Sequence, residues 1–470
     1  MENQYTDIYG KVHYIKSELK RGGQGVVYKT QDPNILIKIE LNEDGTEVTE
    51  PNTVYDNIRL LPIPRGINLT LPLATLKGVS GYVMYLLDDM ESFDKYFSNN
   101  QNDNNELSSN NYLLNFKDND DEVVQLFVQS MAHYISTGAN KIRLEAFFKL
   151  ACILARLHAN GLVYGDISGN NIFISNNENN TIVWLIDSDN VNYQKITSKK
   201  IFGTPGFYAP ELINPDESKR KGNTFYSDSY SFSIAFFTEL LGQYPFMGDY
   251  FNQHEDEYEY EEDKEDKAFS GTLPWIFDDE DISNAAETVI PSELILTKNL
   301  REIFKRTFSK KGRECRETRP SMMEWSYFLG IEVDNTIICS SCHMGYNIKE
   351  HDQCPCCDAK NKFVSIESFV DEIKIWSFSI GINEIKLNKI PIRCVEGLRL
   401  DSVDKDIFSI SFQESHLVLS CFSEDYDFYQ KDGTEWILIF NGIKVLDNMT
   451  IKCSKKSETK SDCILEIKVV

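Results

Sequence analysis

The sequence predicts an α+β protein of several units, and three observations carry that expectation. Residues 8–87 alternate as short strands around a glycine-rich turn. Long apolar helical periods dominate the middle of the chain. Residues 364–470 return to closely spaced strand-like segments, just behind a cluster of cysteines. At 470 residues the chain exceeds one ordinary compact domain, so two or three units are expected.

Bulk composition narrows the function classes. Hydrophobic residues make up 41% of the chain and aromatic residues 12%, ample for a folded core. A formal charge of −25, from 48 Lys and Arg against 73 Asp and Glu, argues against a general nucleic-acid binder and against anionic membranes. Any phosphate site must be a local basic or backbone-amide pocket. The opening MENQYTDIYGK lacks a secretory pattern, and the apolar FSIAFFTELLG is interrupted by Glu239 and too short to span a bilayer. Eleven cysteines without a signal peptide point to a reducing, cytoplasmic setting, where clustered thiols bind metal more often than they pair.

In chain order, IYGKVHYIKSEL, KRGGQGVVYKT and ILIKIE read as strand, glycine turn, strand and strand, and SGYVMYLL as a further strand. Residues 95–125 have loop chemistry. RLEAFFKLACILARLHANG reads as a helix closed by Gly161. NIFIS and TIVWLID read as strands, and residues 225–241 and 297–330 as helices. The acidic run HEDEYEYEEDKEDKAF between those helices reads as a solvated insertion.

The chemistry starts at KRGGQGVVYK. Gly22, Gly23 and Gly25 let backbone N–H groups approach phosphate oxygens, and Val27 is placed to pack over a base. Lys38 follows on the next strand, at a spacing that reaches α- and β-phosphates. In VYGDISGNNIFI, Asp166 and Asn171 sit in a loop between a long helix and an apolar strand. Phosphoryl transfer asks for a carboxylate near the attacking hydroxyl and an amide oxygen on a metal, the roles these two residues fit. Asp187 ends the apolar strand WLID and is read as the second metal ligand. The segment from Asp187 closes on GTPGFYAPEL.

These motifs together resemble the eukaryotic-type protein kinases over roughly residues 8–330. The resemblance rests on the glycine loop, Lys38, Asp166 with Asn171, Asp187, the Ala-Pro-Glu triplet at 209–211, Asp228 in SDSYSFSIAFFTELL and Arg319 in RPSMMEW. It implies a bilobal fold, with an N-lobe over 8–87 and a C-lobe over 88–330, that uses ATP and Mg2+. It also implies a Glu211–Arg319 ion pair, a bracing role for Asp228, Met84 as gatekeeper and Tyr85 to Leu87 as the adenine-binding hinge. Thr204 matches the position found in Ser/Thr kinases, and protein substrates and autophosphorylation follow from the same likeness. The overall layout resembles bacterial kinases of this type, some of which act in phage defence. The rival expectation is a pseudokinase scaffold that binds ATP and recruits partners through its C-terminal regions. Retention of Lys38, Asp166, Asn171 and Asp187 favours an active enzyme.

Five departures from the family pattern stand out. Lys20 replaces the first glycine of the loop. Tyr164-Gly165-Asp166 replaces His-Arg-Asp, so activity is expected without the usual activation-loop phosphorylation, for which Thr197 and Ser198 are the candidate positions. Ser168 stands where Ser/Thr kinases carry a lysine. Asp187-Ser188-Asp189 replaces Asp-Phe-Gly. The glutamate that pairs with Lys38 is sought at Glu50, with Glu47 as the other candidate, in a shortened helix before Pro62.

Beyond the kinase region, Cys339-x2-Cys342 and Cys354-x2-Cys357 can present four thiolates to a structural Zn2+, in a ribbon over 335–362 with a β-hairpin spanning the gap. Cys356, His343 and His351 are spare donors. The remainder, 364–470, predicts a β-sandwich through IKIWSFSI, NEIKL, IPIRCV, FSISF, LVLSCF, WILIFNG, TIKC and ILEIKVV. Its ending resembles forkhead-associated domains, which bind phosphothreonine. No Gly-Arg and Ser-x-x-His set accompanies it, so a phosphopeptide reader and a degenerate protein-binding sandwich stand side by side.

Overall fold

The computed structural model describes residues 4–22, 25–49, 53–98, 113, 121–177, 180–195, 203–214, 216–253, 261–385, 388–413, 416–421, 423–440, 442–456 and 462–470. Two compact units emerge, one from Met1–Tyr96 with Arg156–Phe232, the other from Phe97–Ala155 with Ser233–Val470. Chain order and spatial grouping thus differ: the loop-strand region after Arg156 gathers with the N-terminal sheet, whereas the cysteine cluster and β-rich region gather with the large helices.

In the first unit, six antiparallel strands form one sheet: β1 Gln4–Thr6, β2 Val12–Arg21, β3 Gly25–Thr30, β4 Ile35–Glu40, β5 Ala74–Thr75 and β6 Gly81–Tyr85, in the order β1-β2-β3-β4-β6-β5. Val26, Ile37, Ile39 and Val83 are almost wholly buried and form its core. The helix after β4 is short, Thr53–Ile58, and packs Tyr55 and Ile58 with Tyr82 rather than carrying a long polar face. The hairpin of Ile172–Asn177 and Asn180–Leu185, with Glu91–Ser92 at its edge, is preceded in the chain by the loop that ends at Asn171 and followed closely by Asp187.

The second unit is helical around an aromatic core in which Phe236 lies 4.7 Å from Phe147 and 5.9 Å from Trp325. A helix over Glu122–Ser136 was not foreseen, because its apolar positions follow directly on a polar run; Asp121 caps it by accepting from the Val123 N–H. The 297–330 stretch is three helices, Lys298–Phe308, Lys310–Glu314 and Met322–Asn335. Thr297, Ser309 and Ser321 cap them in turn, and Ser321 with Glu324 makes a reciprocal capping box readable in SMME. The acidic insertion is not wholly solvated. Its second half is the helix Glu261–Phe269, with Lys264 buried over the Phe251 ring at 4.1 Å.

The C-terminal region forms two antiparallel sheets, of six and four strands, that share one core including Ile366, Ile451, Leu465 and Ile467 with Phe408, Ile410 and Leu419. Three expected strands differ. In IPIRCV only Asn388–Pro391 is extended; Arg393–Glu396 is a helical turn, since Cys394 and Val395 are both buried and a strand would send one outward. Among the described residues, NEIKL opens as the short turn Ile382–Glu384, and WILIFNG is extended only within Glu435–Leu438. No helix among the described residues is long and apolar enough to cross a membrane.

Candidate active site and thiolate cluster

Local sequence explains how the catalytic loop is held. Gly165 has φ +85°, a left-handed conformation that the arginine usual at this position would adopt only under strain. Its N–H donates to Asp228 Oδ1 at 3.0 Å, and the Tyr164 N–H donates to Asp228 Oδ2 at 2.8 Å. The Gly165 carbonyl accepts from Asn223 Nδ2 at 3.1 Å, and His158 Nε2 lies 3.0 Å from Asp228 Oδ2. Asp228 is 2% exposed, so a buried carboxylate fixes two consecutive backbone amides just before Asp166. His158 and Asn223 were not singled out from sequence; neither has a motif signal of its own.

Asp166 is oriented from both sides. Thr204 Oγ1 donates to its Oδ1 at 2.7 Å, and Asn171 Nδ2 donates to its Oδ2 at 3.0 Å. Burial raises the pKa of Asp166, and the hydrogen bond from Thr204 opposes this only in part. With its amide nitrogen committed to Asp166, Asn171 keeps its amide oxygen as the acceptor.

Lys38 sits directly opposite Val27 on β3 and Tyr82 on β6. Its Nζ lies 2.6 Å from Asp187 Oδ1 and 2.7 Å from Asp189 Oδ2. These are its carboxylate partners among the described residues. Glu47 instead accepts from the Tyr5 hydroxyl, and Glu50 lies outside the described residues, as do Gly23, Thr197 and Ser198. Asp187 has φ +58° and opens the single turn Ser188–Asn190, which brings Asp187 and Asp189 to the same ammonium group. Burial raises both carboxyls and Lys38 lowers both; Lys38 and hydrogen bonds from Asp189 hold Asp187 below its ordinary value, whereas burial and the neighbouring Asp187 charge leave Asp189 pushed up to about 6. For Lys38, burial favours the neutral amine, but the charges of Asp189 and Asp187 outweigh it and hold the ammonium form.

Of the other nucleotide-site candidates, Met84 and Tyr85 end β6, with Tyr85 exposed and Leu87 just beyond, half-buried. The Gly22 N–H donates to the Gly25 carbonyl at 2.9 Å, and a Cβ on Gly25 would lie 2.8 Å from the Ile39 carbonyl oxygen, so its glycine is needed for the close β3–β4 approach as well. Glu211 lies in the short turn Pro210–Leu212 of the first unit. Arg319 lies in the second, 2% exposed, with its Nε donating to the Gly312 carbonyl at 2.8 Å.

The site suits a divalent cation. Asp187 and Asn171 offer hard oxygen donors, and Asp189 Oδ1 is buried without a hydrogen-bond partner, an orphaned acceptor of the kind a cation satisfies.

In the second unit the ligand atoms of Cys339, Cys342, Cys354 and Cys357 all lie within 4.8 Å of one another. Sγ–Sγ separations are 3.6 Å for Cys339–Cys357 and 3.5 Å for Cys342–Cys354. Tetrahedral coordination with Zn–S near 2.3 Å implies sulfur separations of about 3.8 Å. Burial raises the Cys339 thiol, but N–H donors, including Ser341 N at 3.4 Å and the Asn361 side chain, bring it down to about 7. The hairpin Thr336–Ile338 with Gly345–Asn347 does not span the gap between the knuckles as expected. It holds the first knuckle at its tip.

Residues 121–328 match the protein kinase domain family. The ribosomal protein S6 kinase alpha-3 of Mus musculus is 29% identical over 101 residues, 21% of this chain and 13% of that protein. The Nik-related protein kinase of Homo sapiens is 33% identical over 82 residues, 17% of this chain and 5% of its own length. The chain therefore spans a small part of these relatives, and its glycine loop and Lys38 lie before the matched family segment. It carries a segment that matches the protein kinase domain family.

Proposed function

We propose that the protein is an active serine/threonine protein kinase, transferring the γ-phosphoryl group of Mg-ATP to protein hydroxyls. The observation that carries this reading is the convergence of Lys38, Asp187, Asp166, Asn171 and Thr204 in one unit, with Lys38 and Asp187 paired across 149 residues of sequence. When bound, Mg-ATP supplies the transferable group and the cations that neutralise its charge. Lys38 holds the phosphates, while Asp187 and the Asn171 amide oxygen hold the cations. Asp166, oriented by Thr204 and Asn171 and raised in basicity by burial, takes the hydroxyl proton. Asp228 keeps the loop in place through backbone amides, which supports activity without an arginine at position 165.

In the same reading the four-cysteine cluster binds a structural Zn2+, since four thiolates close the coordination sphere, and the protein acts in the cytoplasm. Incubation with γ-labelled ATP and Mg2+ tests the kinase proposal. Label should reach the protein itself or a generic protein substrate with the wild type and be lost with Asp166→Ala. No transfer by the wild type would leave an ATP-binding scaffold as the better reading.

A further inference from the structure

We propose that Asp189 is the positioning residue for Lys38, doing from the metal loop what a helix-borne glutamate was expected to do. The inference rests on the kinase reading above. Lys38 Nζ is bound by two carboxylates from one short turn, at 2.6 and 2.7 Å. The neighbouring helix Thr53–Ile58 contributes no carboxylate to it. That helix offers Tyr55, whose ring lies 4.4 Å from that of Tyr82. Among the described residues, Glu40 accepts from Ser80 at 2.7 Å and Glu47 from Tyr5.

Two features make Asp189 more than an incidental neighbour. It is carried by the turn that begins at Asp187 in a left-handed conformation, so lysine placement and metal-ligand placement share one backbone element. Tyr82, 2% exposed and directly opposite Lys38, adjoins Asp189. Once Asp187 serves a cation, Asp189 Oδ2 still holds Lys38. Lysine placement is then built into the loop and does not wait on movement of the Thr53–Ile58 helix.

A double-mutant cycle on the unfolding of the full-length, nucleotide-free protein tests this, using Lys38→Met, Asp189→Asn and the double variant. A coupling of at least about 5-fold in the unfolding equilibrium constant is expected, the double variant being little worse than Lys38→Met. Additive effects would overturn the proposal. If Asp189→Asn does not fold, Asp189→Ser takes its place in the same cycle. In steady-state assays Asp189→Asn should raise KM for ATP, with partial recovery by Asp189→Glu. A loss with Glu50→Gln that matches Lys38→Met, beside wild-type behaviour of Asp189→Asn, would also overturn it. Because the coupling is read without nucleotide, a wild type that transfers no phosphate refutes the kinase reading and leaves the coupling measurable.

Discussion

Arg393 clamps Asp334 in a bidentate ion pair, with Nε on Oδ2 and Nη2 on Oδ1, each at 2.6 Å. Trp376 Nε1 donates to the same Oδ2 at 2.7 Å, and the guanidinium lies 4.9 Å from the centre of the Phe148 ring. Asp334 ends the helix Met322–Asn335, whereas Arg393 and Trp376 belong to the β-rich region, so the pair joins that region to the helices of the same unit. With side chains 1% and 11% exposed, removal of one partner strands a buried charge. Asp334→Ala should cost about 3–5 kcal/mol in chemical denaturation. The paired replacement Asp334→Leu with Arg393→Met should cost less than either single change, because no charge is left unpaired.

Glu332, two residues earlier on that helix, is 2% exposed and accepts from Thr297 Oγ1 at 2.8 Å and Asn347 Nδ2 at 2.7 Å. Burial raises its pKa to about 7 despite those donors. The folded state therefore holds this proton more tightly than the unfolded chain does. Stability from this group is present below the ordinary glutamate value and is lost as pH rises from there to about 7, by up to about 3 kcal/mol. Denaturation midpoints measured from pH 5 to 8 should show that decline, and Glu332→Gln should flatten it.

Metal content offers a separate check on the thiolate cluster. The purified protein should carry one Zn2+ per chain by elemental analysis, and a strong chelator should lower its melting temperature. Cys342→Ser should lose the metal, whereas Cys356→Ser should retain it, since the 356 thiol is outside the four-sulfur group.

The backbone staple at Asp228 predicts a kinetic signature. Asp228→Ala frees the Tyr164 and Gly165 amides and lets Asp166 wander, so kcat should fall roughly 100-fold with little change in ATP affinity. Equal losses in kcat and in ATP binding would point instead to a general loss of structure.

Thr204 predicts a pH effect. Asp166 works as a base only when ionised, and burial has already raised its pKa, partly offset by the Thr204 hydrogen bond. Thr204→Val removes that offset, so the acidic limb of the kcat profile should move to higher pH. Thr204→Ser, which keeps the donor, should leave the limb where it is.

Much of the candidate site was legible in linear order. Asp166 with Asn171, Asp187 and the paired CxxC knuckles announce themselves because their chemistry depends on residue types at short spacings within one loop or turn. Strands with strict alternation and the helix closed by Gly161 were readable for the same reason: the signal is local. Spatial packing decided the rest. Lys38 finds its carboxylates 149 and 151 residues away, and the short helix Thr53–Ile58 supplies tyrosine packing. The run at 390–395 could satisfy a strand or a helix, and burial of Cys394 and Val395 settled it. The Asp334–Arg393 pair has no sequence signature, because two charges become partners only when the fold removes both from water.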